Sequence, residues 1–180
     1  MASDLIDELP DFMKKADILF IDPPWNLRNL NTFYMKARLM PKVESYEEFY
    51  EILFKRISEI KAKLCFLEIG KEYLADFIIE MKKLYKYVTF YNSTYYNNSK
   101  NLCYIVQGSE KRLNLKLDGM DEEKIIEFIC KNLQYECIGD LCMGRGLVGF
   151  NSYLNNKNFV GIELNHKRLS VLLENISKRK

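Results

Sequence analysis

The chain of 180 residues has a single histidine, His166. It has five cysteines, Cys65, Cys103, Cys130, Cys137 and Cys142, and only Cys137 and Cys142 come near a ligand spacing. A zinc or other transition-metal site is therefore not expected. The cysteines lie in apolar runs, which predicts reduced core thiols in a cytoplasmic protein rather than a disulfide framework. Excess charge of either sign is also missing, since 27 basic and 25 acidic side chains leave +2. That excludes an evenly basic coat for nucleic acid but leaves room for a local basic face. No apolar run approaches the length of a membrane span, and the N-terminus lacks the form of a secretion signal. Repeats, low-complexity tracts and linkers are absent, so 1–180 is expected to be one domain. Aromatic residues are plentiful, with 12 Tyr and 11 Phe, and Tyr91, Tyr95, Tyr96 and Tyr104 crowd one region.

Prolines are few, four in all, yet two are adjacent in Asp22-Pro23-Pro24-Trp25. The run before them, Ala16-Asp17-Ile18-Leu19-Phe20-Ile21, reads as a buried parallel strand, which the prolines stop abruptly. Each proline removes a backbone donor and fixes φ, leaving a stiff turn with bare carbonyls. A carboxylate, a carbonyl and an aromatic face then meet at a strand's C-terminal end, where open α/β sheets bind ligands. A planar base could stack on Trp25 while its exocyclic amine donates to Asp22 and to the Pro23 carbonyl.

Glycine is equally sparse, eight in all, and three fall in Gly144-Arg145-Gly146-Leu147-Val148-Gly149. This turn follows an apolar strand around Cys137-Ile138-Gly139-Asp140 and precedes a helical stretch. A second strand, 158–162, ends at Glu163. Gly144 and Gly146 would let the backbone approach a ligand closely. Glu163 lies where a carboxylate meets ribose hydroxyls. The string also fits G-x-G-x-x-G, so a nicotinamide oxidoreductase is a rival reading. That rival leaves Asp22-Pro23-Pro24-Trp25 unexplained and lacks a sheet after the fingerprint.

Elsewhere the pattern predicts a short helix over 4–10 ended by Pro10. A long loop is expected over 26–45, with Arg28, Lys36, Arg38 and Lys42 unaccompanied by acid until Glu44. Helices are predicted over 46–60, with Ser45 and Glu48 as a capping box, and over 73–84 and 122–133. A strand is predicted over 63–70. A hairpin of 87–96 and 101–106 is expected to turn at 97–100. A basic last helix should carry His166 in its first turn. The alternation predicts an α/β fold, a mostly parallel sheet with helices on both faces and an antiparallel hairpin at one edge.

Only some thirty residues follow the glycine turn, so the rest of the sheet must come from the N-terminal side. In that order the chain resembles the amino-methyltransferases that use S-adenosylmethionine to methylate exocyclic amines of nucleobases. The likeness is to the permuted, β-type class with a Rossmann-like domain, and it covers nearly the whole chain. Asp22-Pro23-Pro24-Trp25 matches the family's Asp-Pro-Pro-aromatic motif. Asp140-Leu141-Cys142-Met143-Gly144-Arg145-Gly146 matches its cofactor turn, with Leu141 in place of the family's proline. Gly161-Ile162-Glu163-Leu164-Asn165 matches its ribose-binding strand end, and 118–123 falls where another cofactor-contacting segment belongs.

The resemblance implies that Asp22, Pro23, Pro24 and Trp25 form the catalytic motif. It implies that Asp22, Asp140, Met143, Gly144, Gly146, Glu163, Leu164 and Asn165 bind S-adenosylmethionine, Asp140 taking the amino end of the methionine. It implies a nucleic-acid substrate, DNA favoured, with adenine N6 the target because the first motif residue is aspartate. Relatives that read a DNA sequence usually carry a separate recognition domain, and none is evident here. Polymer contact therefore falls to the 26–45 segment with Arg28, Lys36, Arg38 and Lys42, to the 92–118 region with the tyrosine-rich hairpin, or to a second copy or partner subunit. An RNA or nucleotide amine methyltransferase and a non-catalytic subunit are the other readings.

Overall fold

In the computed structural model, which describes residues 1–95 and 98–179, six strands form one sheet. They are β1 (Ile18–Ile21), β2 (Leu64–Ile69), β3 (Tyr87–Tyr95), β4 (Asn98–Ser109), β5 (Cys137–Asp140) and β6 (Asn158–Gly161), in the order β3-β4-β2-β1-β5-β6. β1 pairs in parallel with β2 and β5, and β5 with β6. β4 runs antiparallel to both β2 and β3, placing the hairpin at one edge as the sequence predicts. The α-helices are α1 (Leu27–Ala37), α2 (Tyr46–Ile60), α3 (Leu74–Leu84), α4 (Glu122–Asn132), α5 (Leu147–Leu154) and α6 (His166–Ser177). His166 opens the last of them.

Strand periodicity divides the core. Leu19 and Ile21 pack on one face of β1 with Leu53, Phe77 and Met81 from α2 and α3. Ile18 and Phe20 pack on the other with Ile125, Ile129 and Val148 from α4 and α5. β1, β2 and β5 are buried along their whole length, which is why they read as apolar runs. β1 lies between β2 on one side and β5, from the far end of the chain, on the other. The strand order reverses there, opening a crevice beyond the carboxyl ends of β1 and β5.

Three expectations are corrected. Residues 26–45 are not a long loop, because α1 occupies the first half. Asn26 caps it, accepting the Asn29 N–H at 2.9 Å, and Leu30 and Tyr34 bury one stripe. Polar Asn29, Asn31 and Thr32 around those anchors hide the helical period. The segment 4–10 is not a helix. The Asp4 carboxylate takes the Ile6 N–H at 3.1 Å, a local bond that competes with helix formation. Pro10 then precedes rather than ends a helical piece, the 3-10 turn Asp11–Lys15. The hairpin turn expected at 97–100 is also displaced, since 98–100 already belong to β4. Tyr96 and Asn97 lie outside the described residues.

The Ser45 cap of α2 forms as predicted, with the Glu48 N–H donating to Ser45 Oγ at 3.1 Å. The reciprocal half shifts by one residue, as Glu48 accepts from the Glu44 N–H.

Candidate active site

Asp22 follows the last paired residue of β1. Its Oδ1 accepts the Trp25 indole Nε1–H at 3.1 Å, and its Oδ2 accepts the Tyr95 hydroxyl at 3.4 Å. The two prolines make this geometry stiff. Tyr46 of α2 stiffens it further by donating its hydroxyl to the Pro24 carbonyl at 2.6 Å. Pro23 and Pro24 are both buried. Trp25 is packed onto the backbone of Gly70, where a Cβ would come within 2.9 Å of the ring. Its other neighbour is Tyr95, edge-on at 5.4 Å between centroids. Trp25 is thus tied to Asp22, and Tyr95 is the aromatic ring beside Asp22 in the cleft wall.

Protein atoms surround the Asp22 carboxyl, although part of it stays open to solvent. Burial pushes it up to about 6, against the opposing pull of Trp25, Tyr95 and the Arg168 charge.

Across the crevice, Asp140 ends β5. Its Oδ1 accepts the Cys142 N–H at 2.9 Å, and burial drives its carboxyl well above the ordinary range. Glu163 follows β6 and ties the turn together. Oε2 accepts the Gly144 N–H at 2.7 Å and Oε1 the Asn165 N–H at 2.9 Å. Each oxygen retains a lone pair for a ligand hydroxyl.

The two glycines do different work. Gly144, at φ 53°, has nothing nearer than 3.9 Å to a would-be Cβ, so its backbone is approachable from the cleft. Gly146, at φ 81°, is instead covered by Leu172 of α6, 2.7 Å from a would-be Cβ. Gly146 is thus needed for close packing of α6, a role the sequence did not indicate.

These groups share one cleft of about 500 Å³, lined by Asp22, Pro24, Asp140, Met143, Gly144, Glu163 and Leu164 among others. Asn165 stands just outside, capping α6 through the Lys167 N–H and donating to the Lys36 carbonyl at 3.2 Å. Burial and the carboxylates nearby raise the Cys142 thiol, so it forms a neutral wall, not a nucleophile. Among the described residues no His, Cys, Asp and Glu side chains are grouped as a metal site. Nor is any helix among them long and apolar enough to cross a membrane.

The cleft also contains residues the sequence did not single out. Glu68 of β2, 1% exposed, and Glu122, at the start of α4, line it. So does Arg168, whose guanidinium lies 4.9 Å from the Phe33 ring. Glu68 sits in an apolar strand run, and Arg168 in a basic helix, so neither carries a motif. Only the register of β1 and β2 brings Glu68 beside Asp22. The predicted basic set divides. Lys36 lines the cleft, Arg28 is exposed on α1, and Arg38 forms the left-handed cap of α1 at φ 61°. Lys42 is not free of acids, being paired with Asp4 and Asp7.

The sequence matches no protein-family model and no curated protein. Its fold does have solved counterparts. The structure of M1.HpyAVI in complex with S-adenosylmethionine superposes with a TM-score of 0.66 over 97% of either chain at 12% identity. TTHA0409, the "putative DNA modification methylase" of Thermus thermophilus, complexed with S-adenosyl-L-methionine, gives 0.69 at 11% identity. That match covers 98% of this chain and 92% of the other. The cytosine-N4-specific PvuII DNA methyltransferase gives 0.67 at 10% identity over 97% and 84%. This chain thus shares its overall fold with these three solved structures.

Proposed function

We propose that this chain transfers a methyl group from S-adenosylmethionine to the exocyclic amine of a nucleobase, adenine N6 in DNA being the favoured target. The observation that carries the reading is that Asp22, oriented by two donors, opens into the same cleft as Asp140, Gly144 and Glu163. Two of the structures it resembles were determined with S-adenosylmethionine bound, and one of these is titled a "putative DNA modification methylase".

The residues suit that molecule. A sulfonium and an ammonium call for an acidic wall, which Asp22, Asp140 and Glu163 supply. The adenosine and methionine call for backbone approach, which Gly144 leaves open. Asp140 would hold the ammonium, Glu163 the ribose hydroxyls, and Arg168 the carboxylate, with Met143 and Leu164 packing against the remainder. Asn165 keeps Glu163's strand end attached to α6. S-adenosylmethionine supplies an electrophilic methyl group when bound.

The protein's own part is positioning. An exocyclic amine is a poor nucleophile because its lone pair is delocalised into the ring. Asp22 and the Pro23 carbonyl accept its two N–H groups and favour the pyramidal form, whose lone pair points away from them. Asp22 is also basic enough to take the proton shed after transfer. Trp25 holds the carboxylate's direction. Tyr95 offers a face to the base, which must leave a duplex stack to reach the cleft. Arg28, Lys36 and Arg38, together with the far end of the hairpin, form the polymer surface. A second copy or a partner subunit could add sequence choice.

Radiolabelled methyl transfer to defined DNA and RNA pools tests the proposal. N6-methyladenine in DNA is the expected product. Label only in RNA, or N4-methylcytosine, would reassign the substrate. Cofactor binding with no transfer would leave a non-catalytic subunit.

A further inference from the structure

Glu68 is a carboxyl where its strand should carry an apolar side chain. It interrupts Leu64-Cys65-Phe66-Leu67 and Ile69, in a strand buried along its whole length. It is 1% exposed, and its Oε1 has no hydrogen-bond partner. An unpaired buried polar atom costs about 1–3 kcal/mol, so its retention calls for an explanation.

Its position suggests one. Ile21 of β1 is level with Leu67 of β2 in the parallel ladder, so Asp22 and Glu68 are the next residues on neighbouring strands. Strands lie about 4.8 Å apart, and both side chains take the face already occupied by Phe20 and Phe66. Both line the same cleft. In adenine and cytosine the exocyclic amine is flanked by a ring nitrogen that only accepts. If Asp22 takes the amine, a donor one strand away is placed for that ring nitrogen.

We infer that Glu68 reads the target base: its Oε1, protonated, donates to the ring nitrogen beside the amine, N1 of adenine or N3 of cytosine. This rests on the base-amine methylation reading and adds the residue that recognises the ring. Burial and the carboxylates facing it, Asp22 from β1 and Glu122 and Asp121 at the start of α4, keep Glu68 neutral well above the ordinary carboxylate range. The Cys103 thiol of β4, hydrogen-bonded to the same carboxyl, opposes this only partly.

The test uses fluorescein-labelled single-stranded oligodeoxynucleotides differing at one central position, with S-adenosylhomocysteine present. Adenine is compared with 1-deazaadenine, cytosine with 3-deazacytosine, and each with an abasic site. Anisotropy gives Kd for wild type, Glu68→Gln and Glu68→Leu, and thermal melting monitors folding. Wild type should bind at least one natural base more tightly than its deaza analogue by about 5–30-fold, the loss of one hydrogen bond. Glu68→Gln keeps a neutral donor and should keep that discrimination. Glu68→Leu should lose it while melting no lower than wild type, a pattern a merely structural residue would not show. Raising pH should erode the discrimination in wild type but not in Glu68→Gln. A preference for a base over the abasic site with no deaza penalty overturns the Glu68 inference alone. No preference for either base over the abasic site overturns it together with the base-amine reading.

Discussion

The indole Nε1–H of Trp25 points back at Asp22, three residues earlier, and donates to its Oδ1 at 3.1 Å. The motif's aromatic residue therefore controls the direction of the carboxylate as well as its charge. Removing the donor should cost both. Trp25→Phe is expected to lower kcat by about 10-fold, the value of one oriented hydrogen bond. It should also move the acid limb of the pH–rate profile upward, because a donor that stabilises the ionised form is gone. Asp22→Ala should abolish transfer and leave most of the cofactor affinity. Wild-type turnover in that variant would remove Asp22 from the mechanism.

The buried charge of Asp22 implies opposite effects on stability and rate. Its pKa is raised to about 6, so the folded protein holds the proton more tightly than the unfolded chain. The stability this group contributes is complete below its unfolded value, near 4, and is lost as pH rises through 6. At about 1.4 kcal/mol per unit, the ionised form costs the fold on the order of 3 kcal/mol at neutral pH. Asp22→Asn should therefore raise the denaturation midpoint at pH 7 and shrink that gain at pH 4. Transfer by the wild type should fall as pH drops below about 6, where the acceptor is protonated. Denaturant titrations and initial rates across this window check both signs.

Glu163 accepts two backbone N–H groups that shape the turn, so Glu163→Ala removes a ribose acceptor and loosens Gly144 at once. Calorimetry with S-adenosylmethionine should show a loss of about 1–3 kcal/mol. NAD binding more tightly than S-adenosylmethionine in the wild type would overturn the cofactor assignment.

Gly144→Ala and Gly146→Ala should separate ligand from fold. Both residues sit at positive φ, a strain of about 1–2 kcal/mol for alanine. At Gly146 the methyl also meets Leu172, and overpacking adds about 1–3 kcal/mol. Melting should fall further for Gly146→Ala, while Gly144→Ala should mainly weaken the cofactor.

Neutralising Arg28, Lys36 and Arg38 together should weaken DNA binding and flatten its salt dependence. Lys42→Ala should leave the salt slope alone, because Asp4 and Asp7 already balance that charge. A slope that survives the triple change would move the polymer contact to the hairpin.

The sequence by itself determined what depends on neighbours along the chain. Ile18–Ile21 ahead of two prolines makes a strand that must stop. The Ser45 cap and the apolar stripe of 46–60 make a helix, and glycines after Asp140 make a turn, because dihedral limits and periodicity are local. From these the parallel sheet, its antiparallel edge, and the acids Asp22, Asp140 and Glu163 at strand ends were legible. α1 was not, since its polar residues blur a period that only burial of Leu30 and Tyr34 against the core resolves. The tertiary structure alone decided the rest. Strand register set Glu68 beside Asp22, the hairpin brought Tyr95 to the same carboxylate, and α6 laid Leu172 over Gly146 and Arg168 along the cleft. Lys42 found acids more than thirty residues away. Each of these pairings joins residues distant in sequence, and contact between such residues depends on how elements pack, which no local pattern of residues encodes.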